Sequence, residues 1–113
     1  MNCKLAAILV LLTATVLLAA CSNPLPPDKL DYAGEWKSPE MYLLILEDGT
    51  LNYIRFKGGI KTTITGSITE FQGDNFLGGV AFITTTFVVS KPPYNENGVW
   101  KMVVDGVELT KSR

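Results

Sequence analysis

The side chains best suited to chemistry near neutral pH are two thiols, Cys3 and Cys21, and eleven carboxylates; the chain of 113 residues contains no histidine. Without an imidazole, the Ser-His and Cys-His arrangements and the usual zinc ligand sets are excluded. The carboxylates offer two pairs by position, Glu47 with Asp48 and Asp74 with Glu96. Asp48 and Asp105 precede glycines, however, and Asp74 follows Gly73, so aspartate there serves a turn. A glycosidase-like pair has to face across a cleft, and this spacing sets no two elements opposite each other. No glycine-rich loop opens a helix, so no phosphate cradle is expected. The residues imply no enzyme, no metal and no cofactor.

What remains is the thiol of Cys21, placed where an apolar run turns into a proline-rich polar one. Residues 5–20 carry no charge and follow Lys4, the pattern of a secretion signal with a short basic region and an apolar core. As a helix this run would span about 24 Å at ~1.5 Å per residue, short of a ~30 Å hydrocarbon layer. A cleaved signal helix over 1–20 is therefore expected.

The run ends in Leu18-Ala19-Ala20-Cys21, which resembles the lipobox of bacterial lipoproteins: an aliphatic residue, two small ones, then cysteine. The resemblance implies that a diacylglycerol is transferred to the Cys21 sulfur, that cleavage occurs before Cys21, and that the new amino terminus is acylated. Ser22 in the following position resembles the outer-membrane sorting pattern of such proteins. The implied location is the cell envelope, anchored in the outer membrane and facing the periplasm. The lipid bilayer, reached through acylated Cys21, is then the first partner. A single acyl chain holds only marginally, whereas two make a stable anchor.

With Cys3 removed and Cys21 acylated, the mature chain has no thiol for a disulfide, and the domain must be held by its core. Loss of Lys4 leaves nine basic against eleven acidic side chains. That balance, with no basic cluster, argues against nucleic acid as a partner. Residues 22–31 hold three prolines and read as a tether. Extended at ~3.1 Å per residue it would reach roughly 30 Å from the bilayer.

From Tyr32 to Arg113 the pattern is β throughout. Asp48-Gly49, Gly58-Gly59 and Asp105-Gly106 can each supply the positive φ of a hairpin turn, which predicts an antiparallel meander. Over 60–71 the even positions Ile60, Thr62, Ile64, Gly66 and Ile68 oppose a threonine-rich face, as in a half-buried strand. Tyr53, Trp100, Met102, Val104, Val107 and Leu109 extend the apolar lining. Residues 41–46 and 80–89 are apolar on both faces, so those strands are either covered on both sides or offer one face to a partner. About eighty residues in seven strands bury only ~60–65% of their unfolded surface, and such a sheet must hide its edges. The expectation is all-β: a small antiparallel meander curled into a barrel or strongly coiled sheet, with a β-sandwich as the alternative.

Gly34-Glu35-Trp36 resembles the Gly-x-Trp that opens the first strand of lipocalins. The similarity implies an up-and-down barrel closed at one end by Trp36, with a small apolar ligand inside. A cation from Lys111-Ser112-Arg113 could then cover the indole. In size, anchor and β character the chain also resembles the small lipoprotein lysozyme inhibitors, which implies an inhibitor of an envelope-directed hydrolase. The leading expectation is a non-catalytic interaction module that contacts another envelope protein. Its candidate contact loop is the turn-rich stretch 91–98, with Lys91, Tyr94, Asn95 and Glu96; the apolar run 80–89 is the second surface.

Overall fold

The computed structural model describes residues 23–112 apart from Ala81; the expected signal-peptide helix, Cys21 and Ser22 lie outside the described residues. One antiparallel sheet accounts for the fold. Its strands are β1 (Gly34–Ser38), β2 (Met41–Ile45), β3 (Thr50–Lys57), β4 (Ile60–Gln72), β5 (Asn75–Val80), β6 (Ile83–Phe87), β7 (Val89–Glu96), β8 (Val99–Val104) and β9 (Val107–Lys111). The order across the sheet is β6-β5-β4-β3-β2-β1-β9-β8-β7. The sheet curls into a half-barrel rather than splitting into two layers, so the sandwich alternative falls and the expected seven strands become nine.

The curl follows from the chain path. β6 and β7 occupy opposite ends of the sheet order, yet only Val88 separates them in sequence. The alternating antiparallel pairings make both run in the same direction, so 83–96 is one bent strand that serves both edges. Its upper half pairs with β5 and its lower half with β8. At the bend, side chains replace the ladder. Val89 N–H donates to Asn75 Oδ1 at 2.8 Å, Val88 N–H to Asp105 Oδ1 at 2.9 Å, and Asp105 N–H to Val88 O at 2.7 Å.

The turns behave as their residues require. Asp105-Gly106 takes φ of 48° and 79°, and Gly58-Gly59 takes 60° and 80°, the conformation of tight two-residue hairpins. Asn97-Gly98, with φ of 55° and 88°, is a third. The stretch 91–98 is therefore not a loop. Residues to Glu96 belong to β7, and the tight turn follows. Pro92 and Pro93 are accommodated because β7 is an edge strand whose register shifts around them.

Inward positions build one core. Trp36, Leu43, Ile45, Leu51, Phe76, Phe87, Met102, Val104 and Leu109 are fully buried. Phe76 and Phe87 stack at 4.9 Å, Tyr53 meets Phe87 edge-on at 5.0 Å, and Tyr32 meets Phe71 at 5.2 Å. Such pairs each add about 0.5–1.5 kcal/mol beyond their area. Along β4 the expected parity holds at Ile64, Gly66 and Ile68. It fails above and below. Ile60 and Thr62 are exposed because the β3–β4 hairpin overhangs its neighbours, and a register shift between Ile68 and Glu70 turns Phe71 toward the core. Trp100, expected in the core with Trp36, packs against it only half-buried.

The tether expectation is also corrected. Leu25 is buried and its N–H donates to Glu47 O at 2.9 Å, while 27–32 forms a 3₁₀ turn ending in buried Tyr32. The Asn23 carbonyl lies against Gly49, whose φ is 93° and where a Cβ would overlap that oxygen. Residues 23–31 are thus part of the domain, not a spacer. The apolar side chains of Leu25 and Tyr32 outweigh the extended bias of the prolines once the sheet offers them a surface.

Asn75→Ala removes the acceptor for Val89 N–H, and Val89 is only 5% exposed. The expected loss is about 1–3 kcal/mol, read as a lower urea midpoint with an unchanged slope. Asn75→Asp, which keeps an oxygen in place, should lose less.

Candidate functional site

The two ends of the half-barrel differ in chemistry. At the end where 23–33 docks, the interior is sealed. Trp36 Nε1 donates to Tyr32 O at 2.9 Å, and Lys111 Nζ stands 4.9 Å from the Trp36 ring and 5.4 Å from Trp100. The expected cation over the indole is therefore Lys111. Burial pushes its ammonium below the usual lysine range, with Asp31 opposing that shift, and Nζ donates to Asp31 O at 3.2 Å. Glu35, between Gly34 and Trp36, is 9% exposed and ties the C-terminal strand down. Its carboxylate accepts from Tyr42 Oη and Ser112 Oγ, both at 2.8 Å, and Ser112 N–H donates to Glu35 O at 2.7 Å. Nothing in the sequence singled out Glu35 as more than the x of Gly-x-Trp.

The opposite end is open and apolar. β3 climbs from the docked end to the β3–β4 turn, where Phe56 is 51% and Ile60 68% exposed. Lower on β4, where the overhang begins, the β5–β6 turn exposes Val80 at 54%, Phe82 at 97% and Ile83 at 75%. Val80 and Ile83 pair across that turn, and with Ile64 and the neighbouring threonines they line a groove of about 190 Å³. Arg55, ion-paired to Glu40 at 3.7 Å, and Lys61, 6.0 Å from the Phe56 ring, give the rim its charge. Isolated exposed apolar residues are ordinary, but Val80, Phe82 and Ile83 exposed together on one turn are a candidate contact surface. The sequence signal was the two-sided apolarity of 80–89. Val80 and Ile83 share the parity of buried Phe76 and Phe87 and are exposed because they stand beyond the filled interior.

The four residues expected to form a contact loop are spent on the β7–β8 hairpin. Tyr94 Oη donates to Glu108 Oε2 at 3.3 Å with Lys91 Nζ 5.8 Å from its ring, and its phenol is raised by desolvation and then by the Glu108 charge. Asn95 Oδ1 accepts Gly98 N–H at 2.9 Å. Glu96 accepts from Lys101 Nζ at 2.9 Å, which holds its carboxyl below the usual range. Lys91 and Tyr94 also line a shallow concavity of about 330 Å³ with Ser90, Pro92 and Pro93.

Asp74 and Glu96 do not form the carboxylate pair that was considered, since Glu96 is engaged by Lys101 and Asp74 lies in the β4–β5 turn. Among the described residues no three acidic or thiol side chains converge as a metal site, and no helix is long and apolar enough to cross a membrane. Comparison with protein-family models, curated proteins and solved structures finds no match to the chain.

Tyr32 supplies a pH test of the sealed end. Its hydroxyl donates to Asp74 O at 2.8 Å, and burial, reinforced by the charges of Asp74 and Asp28, pushes its pKa up to about 12. The folded state holds this proton more tightly than the unfolded chain, whose phenol titrates near ~10. Stability should therefore be insensitive to this group below about pH 10 and fall as pH rises from there toward 12. Phenolate absorbance should show a late-titrating tyrosine, absent in Tyr32→Phe, and that variant should lose stability less steeply over the same range.

Proposed function

We propose that the chain is a lipoprotein of the bacterial cell envelope, held in the membrane by acylated Cys21, whose β domain works by contact rather than catalysis. Ser22 favours the outer membrane, with the domain on the periplasmic side. The observation that carries the contact reading is the open apolar rim formed by Val80, Phe82 and Ile83 at the β5–β6 turn. It lies at the end of β5 away from the docked N-terminal segment, so an anchored domain keeps it available to a protein partner.

The competing reading, a small apolar ligand held inside the barrel, has less support. Tyr53, Phe76 and Phe87 fill the space below the rim, and the rim groove of about 190 Å³ is small beside the ~300–1,000 Å³ of ordinary ligand pockets.

Two measurements on native membranes test the proposal. Intact mass should give a diacylglyceryl adduct on a chain beginning at Cys21, and Cys21→Ser should release the domain from the membrane. An unmodified chain retaining 5–20 would refute the anchor. A photo-crosslinker replacing Phe82, 97% exposed, should capture a defined protein, and Ile83→Ser should abolish that capture while shifting stability by no more than about 0.5 kcal/mol. Equal capture by a crosslinker placed at Glu108 would remove the rim from consideration.

A further inference from the structure

Residues 41–46 are apolar on alternate positions of both parities, and only one parity is used by the core. Met41, Leu43 and Ile45 are buried inward. The other set faces out of the half-barrel: Tyr42 and Leu44 half-buried, and Leu46 42% exposed. β3 continues this outer set, because Ile54 pairs with Tyr42 and is half-buried, and Phe56 beyond it is 51% exposed. Together they form a diagonal apolar path on the outer face, along β2 from Leu46 to Tyr42 and then along β3 from Ile54 to Phe56, with Asn52 on β3 beside Leu44. Ala33, Gly34 and Glu35 flank it at the lower end, where a concavity of about 520 Å³ opens beside Leu44 and Leu46.

The start of the described chain is pinned to one end of that path. The Asn23 carbonyl lies against Gly49, and Leu25 N–H bonds Glu47 O at 2.9 Å, both in the turn that follows Leu46. Cys21 is two residues earlier, a reach of at most about 7 Å for an extended chain. Acyl chains on Cys21 would thus enter the membrane close to Leu46, with no spacer to lift the domain away.

We infer that the outer face of β2 and β3 lies on the same bilayer that holds the Cys21 acyl chains. This rests on the anchoring proposed above and adds the orientation. Leu46 and Leu44 enter the interface beside the anchor, and Ile54 and Phe56 enter farther along. Tyr42 sits at headgroup level, where amphipathic rings are favoured. Lys61, across from Phe56, can reach the headgroups by its flexible stem, whereas Lys37, across from Tyr42, stands 3.7 Å from the Glu35 carboxylate that also accepts from Tyr42 Oη, a polar cluster at the β1 edge of this face. Glu47 and Asp48 stand at the anchored end, so docking depends on apolar area and not on a cationic surface; it should persist in high salt and on zwitterionic lipid.

The mature lipidated chain has no free thiol, which allows single-cysteine probes. Leu46→Cys, Phe56→Cys and, on the outer face of β9, Glu108→Cys would be labelled with an environment-sensitive dye and reconstituted in phosphatidylcholine vesicles containing spin-labelled lipid. Dye at 46 and 56 should shift to the blue and be quenched at least twofold more than dye at 108. Vesicle-bound protein whose dye at 56 stays water-like would overturn the orientation while leaving the anchor standing. Protein with no adduct by mass that floats free of vesicles would overturn both. A blue shift at 56 that grows with protein concentration in the absence of vesicles would instead assign the face to a second copy. Retained thermal midpoints in all three variants establish that the fold is intact.

Discussion

The bend at Val88 is the constraint on which the rest of the structure depends. A small sheet with two free edges exposes two rows of unpaired amides and carbonyls, a standing invitation to aggregate. Here both edges belong to one run of chain, so the sheet has to curl until they meet. Phe87 and Val89 both point inward across the bend, while Val88 between them is 50% exposed. The alternation is therefore unbroken although the pairing partner changes from β5 to β8. Asn75 and Asp105 supply the acceptors that no strand can offer at that point. Below the bend, β7 leaves an edge that Pro92 and Pro93 blunt, since neither can donate to a further strand.

Closing the sheet this way sets the interior volume, and aromatic rings fill it. The contacts run from Tyr53 through Phe87 and Phe76 to Tyr32 and Phe71, linking β3, β6, β5, the 3₁₀ turn and β4. No disulfide is needed for that connection. It also explains why the N-terminal segment is drawn in. Tyr32 completes the ring series and Leu25 caps the gap between the β2–β3 turn and the end of β4, so undocking them would open the core to water.

Most turns were legible in the sequence because their chemistry is local. Asp105-Gly106 and Gly58-Gly59 announce their φ values directly. Asn97-Gly98 carries the same signal but was absorbed into a supposed loop, because two prolines nearby suggested the end of pairing; only an edge position makes them compatible with a strand. The parity of β4 was legible from Ile64 to Ile68; it fails above, where the hairpin overhangs its neighbours, and below, at a bulge that no residue type marks. The docking of 23–31 was not legible, because proline content reports backbone preference and says nothing about whether Leu25 finds a surface. For the candidate site, the double-sided apolar character of 80–89 and 41–46 was visible, but which positions stay uncovered is decided by the curl and by where the filled interior ends.

The two uncovered surfaces differ in what they can meet. The apolar path on β2 and β3 is long and begins beside the docked N-terminal segment, and only its crest on the outside of the half-barrel would meet a planar, laterally fluid partner. The rim at Val80, Phe82 and Ile83 is narrow and projecting, and its side chains diverge from a turn that can enter a recess. A body of 48 × 33 × 23 Å lying on its β2–β3 face presents that rim sideways, parallel to the membrane plane. A partner that engages it would then most readily be confined to the same surface, where restriction to two dimensions raises the effective concentration of a weak contact. If the domain is anchored and oriented as proposed, the short connection to Cys21 would limit the freedom of the domain to turn, and a contact at the rim would gain from that loss.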